Sequence, residues 1–235
     1  PRYKALRQGF PQFDDIRRAD RSSFWQIGWD DALTSEFLLW RDGFNEEKAE
    51  ETLQKENIRL VVADDEEYTD LLRHLYDPPI CLFVRGKIAV GDWPVAVVGT
   101  RMYTVYGKQM TLDIVTELAS LGVAIVSGLA MGIDGFAHTA ALQAGGKTIA
   151  VLGGGVDRQY VAPARHRHLA DDIVANGGAV ISEYPPYTLP TKYSFPRRNR
   201  IIAGLSLGTL VVEAGESSGA LITARSALDN GREVF

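Results

Sequence analysis

The segment Lys192-Tyr193-Ser194-Phe195-Pro196-Arg197-Arg198-Asn199-Arg200 puts four cations and two aromatic rings into nine residues, with no acid among them. Lysine and arginine neutralise phosphates, and aromatic faces stack on unpaired bases. The mixture is the chemistry of single-stranded nucleic-acid binding. The bland alternative is a basic helix start whose arginines pair with acids of the same fold. A further cation, Arg101 in Gly99-Thr100-Arg101, tilts the balance toward binding.

Four glycine-rich stretches accompany it: Gly99-Thr100-Arg101, Ser127 to Asp134, Gly153-Gly154-Gly155, and Ala214 to Gly219. Glycine lets backbone N–H groups approach an anion, and a following helix adds favourable partial charge. Tight strand-to-helix turns need glycine whatever they bind, so four such loops together say more than any one. Two nucleotide signatures fail. Gly128, Gly132 and Gly135 lack the dinucleotide spacing, and no acid ends the following strand to hold a ribose. Gly146-Lys147-Thr148 resembles the end of a P-loop but has Ala141 where its first glycine belongs. Asp134 and His138, four apart on one helix, could do acid–base work; an N-cap and a packing residue are the simpler roles. His166 and His168 point to different helix faces and make a poor metal pair. Ser127, Ser217 and Ser218 lack evident His–Asp partners. Glu213 could be a catalytic carboxylate, and is read instead as a cap on the Gly215–Gly219 loop. No metal, cofactor or catalytic residue is expected.

These residues need elements to hold them. From Trp93 onward short apolar strands alternate with helices of 10–14 residues: strands at 95–98, 123–126, 148–152, 179–181, 209–212 and 233–235, helices at 107–120, 133–144, 165–175, 197–205 and 220–230. That alternation predicts a doubly wound, Rossmann-like, mostly parallel sheet covered on both faces. Ligands in such sheets sit beyond the carboxyl ends of the strands, where all four glycine-rich loops fall. Before Trp93 the pattern predicts short helices and turns over 1–43, an exposed acidic helix at 44–57 with Asn45 as N-cap, strands at 58–63 and 80–84, and a short helix at 68–75.

The 235 residues carry 25 basic and 30 acidic side chains, a net charge of −5, which excludes a globally basic nucleic-acid binder. The charge is uneven: residues 1–92 hold 13 bases and 19 acids, and residues 93–235 hold 12 and 11. Counterion release needs only a local positive cluster. One cysteine, Cys81, excludes an internal disulfide and fits a reducing, cytoplasmic setting. No apolar run approaches the roughly 18 residues of a membrane span, so no membrane partner is expected. The last residues read as a strand cut short, as in a fragment of a longer protein.

Taken together, Val98-Gly-Thr-Arg101, Ser127 to Asp134 with Ala137-His138, Thr148 to Gly153, Ile181-Ser-Glu-Tyr-Pro185, Phe195 to Ser206, Val212-Glu-Ala214 and Ser218 to Ala224 resemble the DNA-processing protein A (DprA/Smf) family. The resemblance runs from about Ile58 to Phe235. It implies an extended Rossmann-like domain at 58–235 behind a small helical (SAM-like) domain at 1–57. It implies a binding protein rather than an enzyme: one that holds single-stranded DNA, protects incoming DNA and loads RecA recombinase past single-strand-binding protein during natural transformation, and acts as a homodimer. DNA contacts carry over to Arg101, Lys192, Phe195 and Arg197, and backbone contacts to Ser127 and Gly128; Arg198 and Arg200 join them as cations of the same segment. Thr100 stands where serine is common, and the family's region beyond the last strand is absent. The competing expectation is a nucleotide phosphoribohydrolase of the lysine decarboxylase-like family. Its Pro-Gly-Gly-x-Gly-Thr signature is missing, with Ala214-Gly-Glu-Ser-Ser-Gly219 in its place.

Overall fold

A computed structural model describes residues 2–91 and 93–235. The chain divides into two compact units, and the division falls between Glu51 and Thr52. The first holds helices α1 (Arg2–Gly9), α2 (Phe13–Arg18), α3 (Arg21–Gln26) and α4 (Asp31–Gly43), with the start of α5 (Glu46–Lys55). Asp20 and Asp30 cap α3 and α4 by accepting the N–H groups of Ser23 and Leu33. Phe24, fully buried, gathers Phe10, Trp29 and Phe37 into a small aromatic core, each ring 5.2–5.3 Å away. Asn45 caps α5 as its sequence predicts, its Oδ1 accepting the Lys48 N–H at 2.8 Å. The boundary lies earlier than 57 because Leu53 already packs on the second unit's core, beside Ile58 and Ala150.

The second unit adds β1 (Arg59–Val62), α6 (Asp70–Arg73), β2 (Cys81–Gly86), β3 (Val95–Val98), α7 (Val105–Ser120), β4 (Ile125–Ser127), α8 (Ile133–Gln143), β5 (Thr148–Val151), α9 (Arg167–Ala175), β6 (Ala179–Ser182), α10 (Ser194–Gly204), β7 (Gly208–Val211), α11 (Gly219–Asp229) and β8 (Glu233–Val234). The eight strands form one sheet in the order β1-β2-β6-β5-β4-β3-β7-β8. It is parallel from β6 to β8, with β2 and β1 added antiparallel at one edge. This is the doubly wound architecture that the strand–helix alternation predicts.

Alternation along the strands sorts the core. In β3, Ala96 and Val98 face the side covered by α10 and α11, with Ile201, Ile202 and Ala220. Val97 faces the other side, with Val115 of α7 and Ile133, Ala137 and Ala140 of α8. Side chains two apart share a face because the strand period is two. The chain leaves β3 toward β4 and returns through β7 on β3's other side. That reversal opens a crevice beyond the carboxyl ends of β3 and β7. Among the described residues, no helix is long and apolar enough to cross a membrane.

His138 is fully buried in α8, its Nδ1 2.7 Å from the Thr148 hydroxyl. Burial first, then the nearby charges of His166 and Arg198, lower its pKa from 6.5 to about 3. The folded ring is therefore neutral, while an unfolded chain's imidazole takes up a proton below pH 6.5. This contribution is whole above pH 6.5 and is lost progressively as pH falls from there toward 3. Going from pH 7 to pH 5 should remove about 2 kcal/mol through this group alone. Urea unfolding at the two pH values is expected to show that excess loss in the wild type and not in His138→Gln. Identical pH dependence in both would refute it.

Candidate nucleic-acid interface

Beyond β3 and β7 lies an open cleft of about 790 Å³. Its walls are the loop after β3, the Pro190–Phe195 stretch, and the start of α11 with Ser217 and Ser218. Hydrogen bonds fix two of these walls. In the loop after β3, the Thr100 N–H donates to the Glu213 carbonyl at 2.7 Å. The Thr104 N–H and hydroxyl both donate to Glu213 Oε2, at 3.0 and 3.1 Å, and Thr104 caps α7 through the Gly107 N–H. Glu213 thus fastens the Arg101 loop. It makes no capping bond to Gly215–Gly219 among the described residues, because its carboxylate accepts instead from Thr104 at the start of α7.

The basic segment enters the helix earlier than expected, at Ser194 rather than Arg197. Pro196 is accommodated there because in a first turn its missing N–H removes no helical bond. Thr191 and Ser194 lock the turn before it: Thr191 N–H donates to Ser194 Oγ at 2.8 Å and Ser194 N–H to Thr191 Oγ1 at 3.1 Å. Phe195 therefore stands in the first turn of α10, with the Arg101 guanidinium carbon 5.8 Å from its ring centroid. Lys192 is exposed, its Nζ 5.0 Å from the ring of Tyr193, which is 74% exposed. Arg101 and Lys192 make no ion pair among the described residues. Two cations without an ion pair among the described residues and the Phe195 ring thus meet at one cleft from separate parts of the chain, with Tyr193 exposed beside Lys192.

A sequence model of the family described as DNA recombination-mediator protein A matches residues 59–235. The chain belongs to this family. It is 50% identical to "Protein Smf" of Escherichia coli over 184 residues, covering 78% of this chain and 49% of that protein. It is 44% identical to "DNA processing protein DprA" of Bacillus subtilis over 184 residues, 77% of this chain and 61% of that one. The chain thus spans about half to three-fifths of these relatives. The solved DNA processing protein A of Streptococcus pneumoniae superposes with a TM-score of 0.82 at 36% identity, over 99% of this chain and 79% of that chain. That of Helicobacter pylori, whose single-stranded DNA binding mode was the object of study, superposes with 0.68 at 31% identity, over 77% and 81%.

The remaining site residues predicted for this DNA recombination-mediator protein A member are turned inward or, for Arg200 and the exposed Arg197, held in ion pairs. Ser127 is fully buried and its hydroxyl donates to the Val97 carbonyl at 2.6 Å. The Gly128 N–H donates to Asp134 Oδ2 at 3.2 Å, so it is not free for a phosphate. Arg198 is 4% exposed; its Nη1 donates to the Gly128 carbonyl at 2.8 Å and to the Val151 carbonyl. Burial lowers its pKa to about 10 against the pull of Asp134, so it stays charged. Burial likewise raises Asp134, which Arg198 and the Ala130 and Gly128 N–H groups oppose. Asp134 thus closes the loop before its own helix rather than capping α8. A Cβ on Gly128 would lie 2.7 Å from both groups, which is why this position is glycine. Arg198 lines the cleft floor as a support, not as a free cation. Arg200 pairs with Glu183 at 2.6 Å and Asp77 at 3.2 Å. Arg197 lies outside the cleft lining, exposed, 3.3 Å from Glu183, a surface pair of little strength.

The sequence carried a signal for this. Ser194, Arg198, Ile201, Ile202 and Leu205 recur at helical spacing and are the buried side of α10. Asn199, whose Nδ2 donates to the Gly219 carbonyl at 3.3 Å, was missed as the tie between α10 and α11; no sequence pattern marks it.

Proposed function

We propose that this cleft binds single-stranded DNA, with Arg101 and Lys192 on phosphates and Phe195 stacking on a base. Tyr193 offers a second face at the rim. The observation that carries the proposal is the convergence of Arg101, Lys192 and Phe195 at one open cleft with no ion pair to occupy either cation. The relative from Helicobacter pylori, studied for single-stranded DNA binding, supports it. In the whole protein we assign this binding to DNA processing in the cytoplasm: protection of incoming strands and loading of RecA past single-strand-binding protein, by a homodimer. The chain acts here as a binding protein and not as a phosphoribohydrolase, since Glu213 is engaged in fastening a loop.

Binding is expected to favour single strands over duplex of equal length at equal salt. Paired bases are already stacked, and each base stacked on an aromatic ring is worth roughly 1–3 kcal/mol, about tenfold to a hundredfold. Anisotropy titrations with a labelled oligonucleotide, alone and annealed, measure the ratio. Equal affinities would refute the stacking role, and release of a free base from nucleotides would establish the enzyme instead.

A further inference from the structure

The stretch 183–193 between β6 and α10 carries Lys192, and a few interactions around Tyr187 hold it down. Tyr187 has φ +63°, a left-handed conformation that residues other than glycine rarely adopt. Its N–H donates to Asp157 Oδ2 at 2.8 Å. Its ring meets that of Tyr160 nearly edge-on, centroids 5.6 Å apart, and its hydroxyl lies 3.5 Å from Glu56 Oε1. The next residue is fixed too: the Gly155 N–H donates to the Thr188 carbonyl at 2.8 Å. Gly154 and Gly155 form the bed on which this stretch lies, while Gly153 faces Ser194 and Phe195 at the start of α10. A Cβ on Gly154 would stand 2.7 Å from the Thr188 carbonyl oxygen, and one on Gly155 would stand 3.0 Å from the Tyr187 nitrogen. This triplet reads in the sequence as a phosphate cradle, but here Gly154 and Gly155 admit the backbone of the stretch and Gly153 the side chains of Ser194 and Phe195.

Asp157 is 1% exposed, and its Oδ1 has no hydrogen-bond partner among the described residues. A buried carboxylate is a costly way to hold one amide when a neutral oxygen would accept the same bond. Its one side-chain hydrogen bond among the described residues is to the stretch that bears Lys192.

We propose that Asp157 is a positioning residue for DNA binding: by pinning Tyr187 it presets the loop so that Lys192 stands at the cleft before a strand arrives. The proposal rests on the single-stranded DNA reading of the cleft. Preorganisation spares the cost of ordering the loop backbone when a strand binds. The Thr191–Ser194 turn holds Lys192 from its C-terminal side and the Tyr187 pin sets the stretch that leads into it, whereas Phe195 lies within α10 itself, so the effect of Asp157 is expected to fall first on Lys192.

The test is a double-mutant cycle read by anisotropy with oligo(dT), beside trypsin digestion of the DNA-free protein followed by mass spectrometry. Asp157→Ala is expected to weaken binding roughly fivefold and to speed cleavage after Lys192. Asp157→Asn, which keeps an acceptor for the Tyr187 N–H, is expected to restore both. In a Lys192→Ala background, Asp157→Ala should cost nothing further, because two residues acting through one interaction are not additive. Unchanged cleavage and affinity in Asp157→Ala would overturn the proposal, as would a loss that adds fully to that of Lys192→Ala. Faster cleavage with binding untouched by either substitution would overturn it too, since the pin would then serve no DNA-binding role.

Discussion

If the proposed homodimer forms, oligothymidylates of increasing length are expected to bind weakly until one strand reaches both of its clefts, and then roughly 10²–10⁴ more tightly. One cleft offers two unpaired cations, Arg101 and Lys192, and one ring aimed into it, Phe195, which hold only a few nucleotides. A second cleft on the same particle turns the next binding event into an intramolecular one, so the gain comes from effective concentration and not from new interactions. A length series by anisotropy, with sedimentation to fix the oligomeric state, shows the step. A monomerising substitution should abolish the step and leave short oligonucleotides bound as before. A smooth length dependence in a proven dimer would mean that the clefts act independently.

Arg198→Ala is expected to cost about 3–5 kcal/mol of stability, because it strands two buried carbonyl acceptors and removes the cation that faces the buried Asp134. The substitution strands the Asp134 carboxylate beside Gly128 and takes the donor from the Gly128 and Val151 carbonyls. For a unit of this size that corresponds to a fall in Tm of roughly 10 °C. Arg198→Lys should recover only part of it, since an ammonium lacks the planar fork of a guanidinium. Chemical denaturation measures the effect, and a cost under about 1 kcal/mol would remove Arg198 from the framework beneath the cleft. Arg197→Ala, on the exposed side of the same helix, is the control and should move stability by no more than about 0.5 kcal/mol.

The contrast between these neighbouring arginines marks what was legible in the sequence. The parallel sheet could be read directly, because β3 to β7 are apolar runs buried on both faces, and buried strands look alike in any context. The location of the cleft followed from topology, since the glycine-rich loops fall at the carboxyl ends of those strands. What charge counting could not supply was direction. Lys192, Arg197, Arg198 and Arg200 are equivalent as cations in a string, yet helical geometry sends Arg198 into the core and pairs Arg200 with Glu183 and Asp77. The stripe from Ser194 to Leu205 would have flagged Arg198 had the helix start been set at Ser194. Glu213, Asp157 and Asn199 were hidden for another reason: their partners at Thr104, Tyr187 and Gly219 are 20 to 109 residues away in the chain, and long-range pairings leave no local pattern.

In the proposed site, Arg101, Lys192 and Phe195 hold one single strand, and cations and ring do different work. Salt-dependent titration of the wild type, Arg101→Ala, Lys192→Ala and Phe195→Ala against one short oligo(dT) tests it most directly. Removing either cation should weaken binding and flatten the plot of log K against log salt by about 0.7 for each phosphate left unneutralised. Removing Phe195 should weaken binding by roughly tenfold or more with the slope unchanged, because stacking releases no counterions. Wild-type affinity and slope in all three variants would place the DNA elsewhere on the protein and contradict the account.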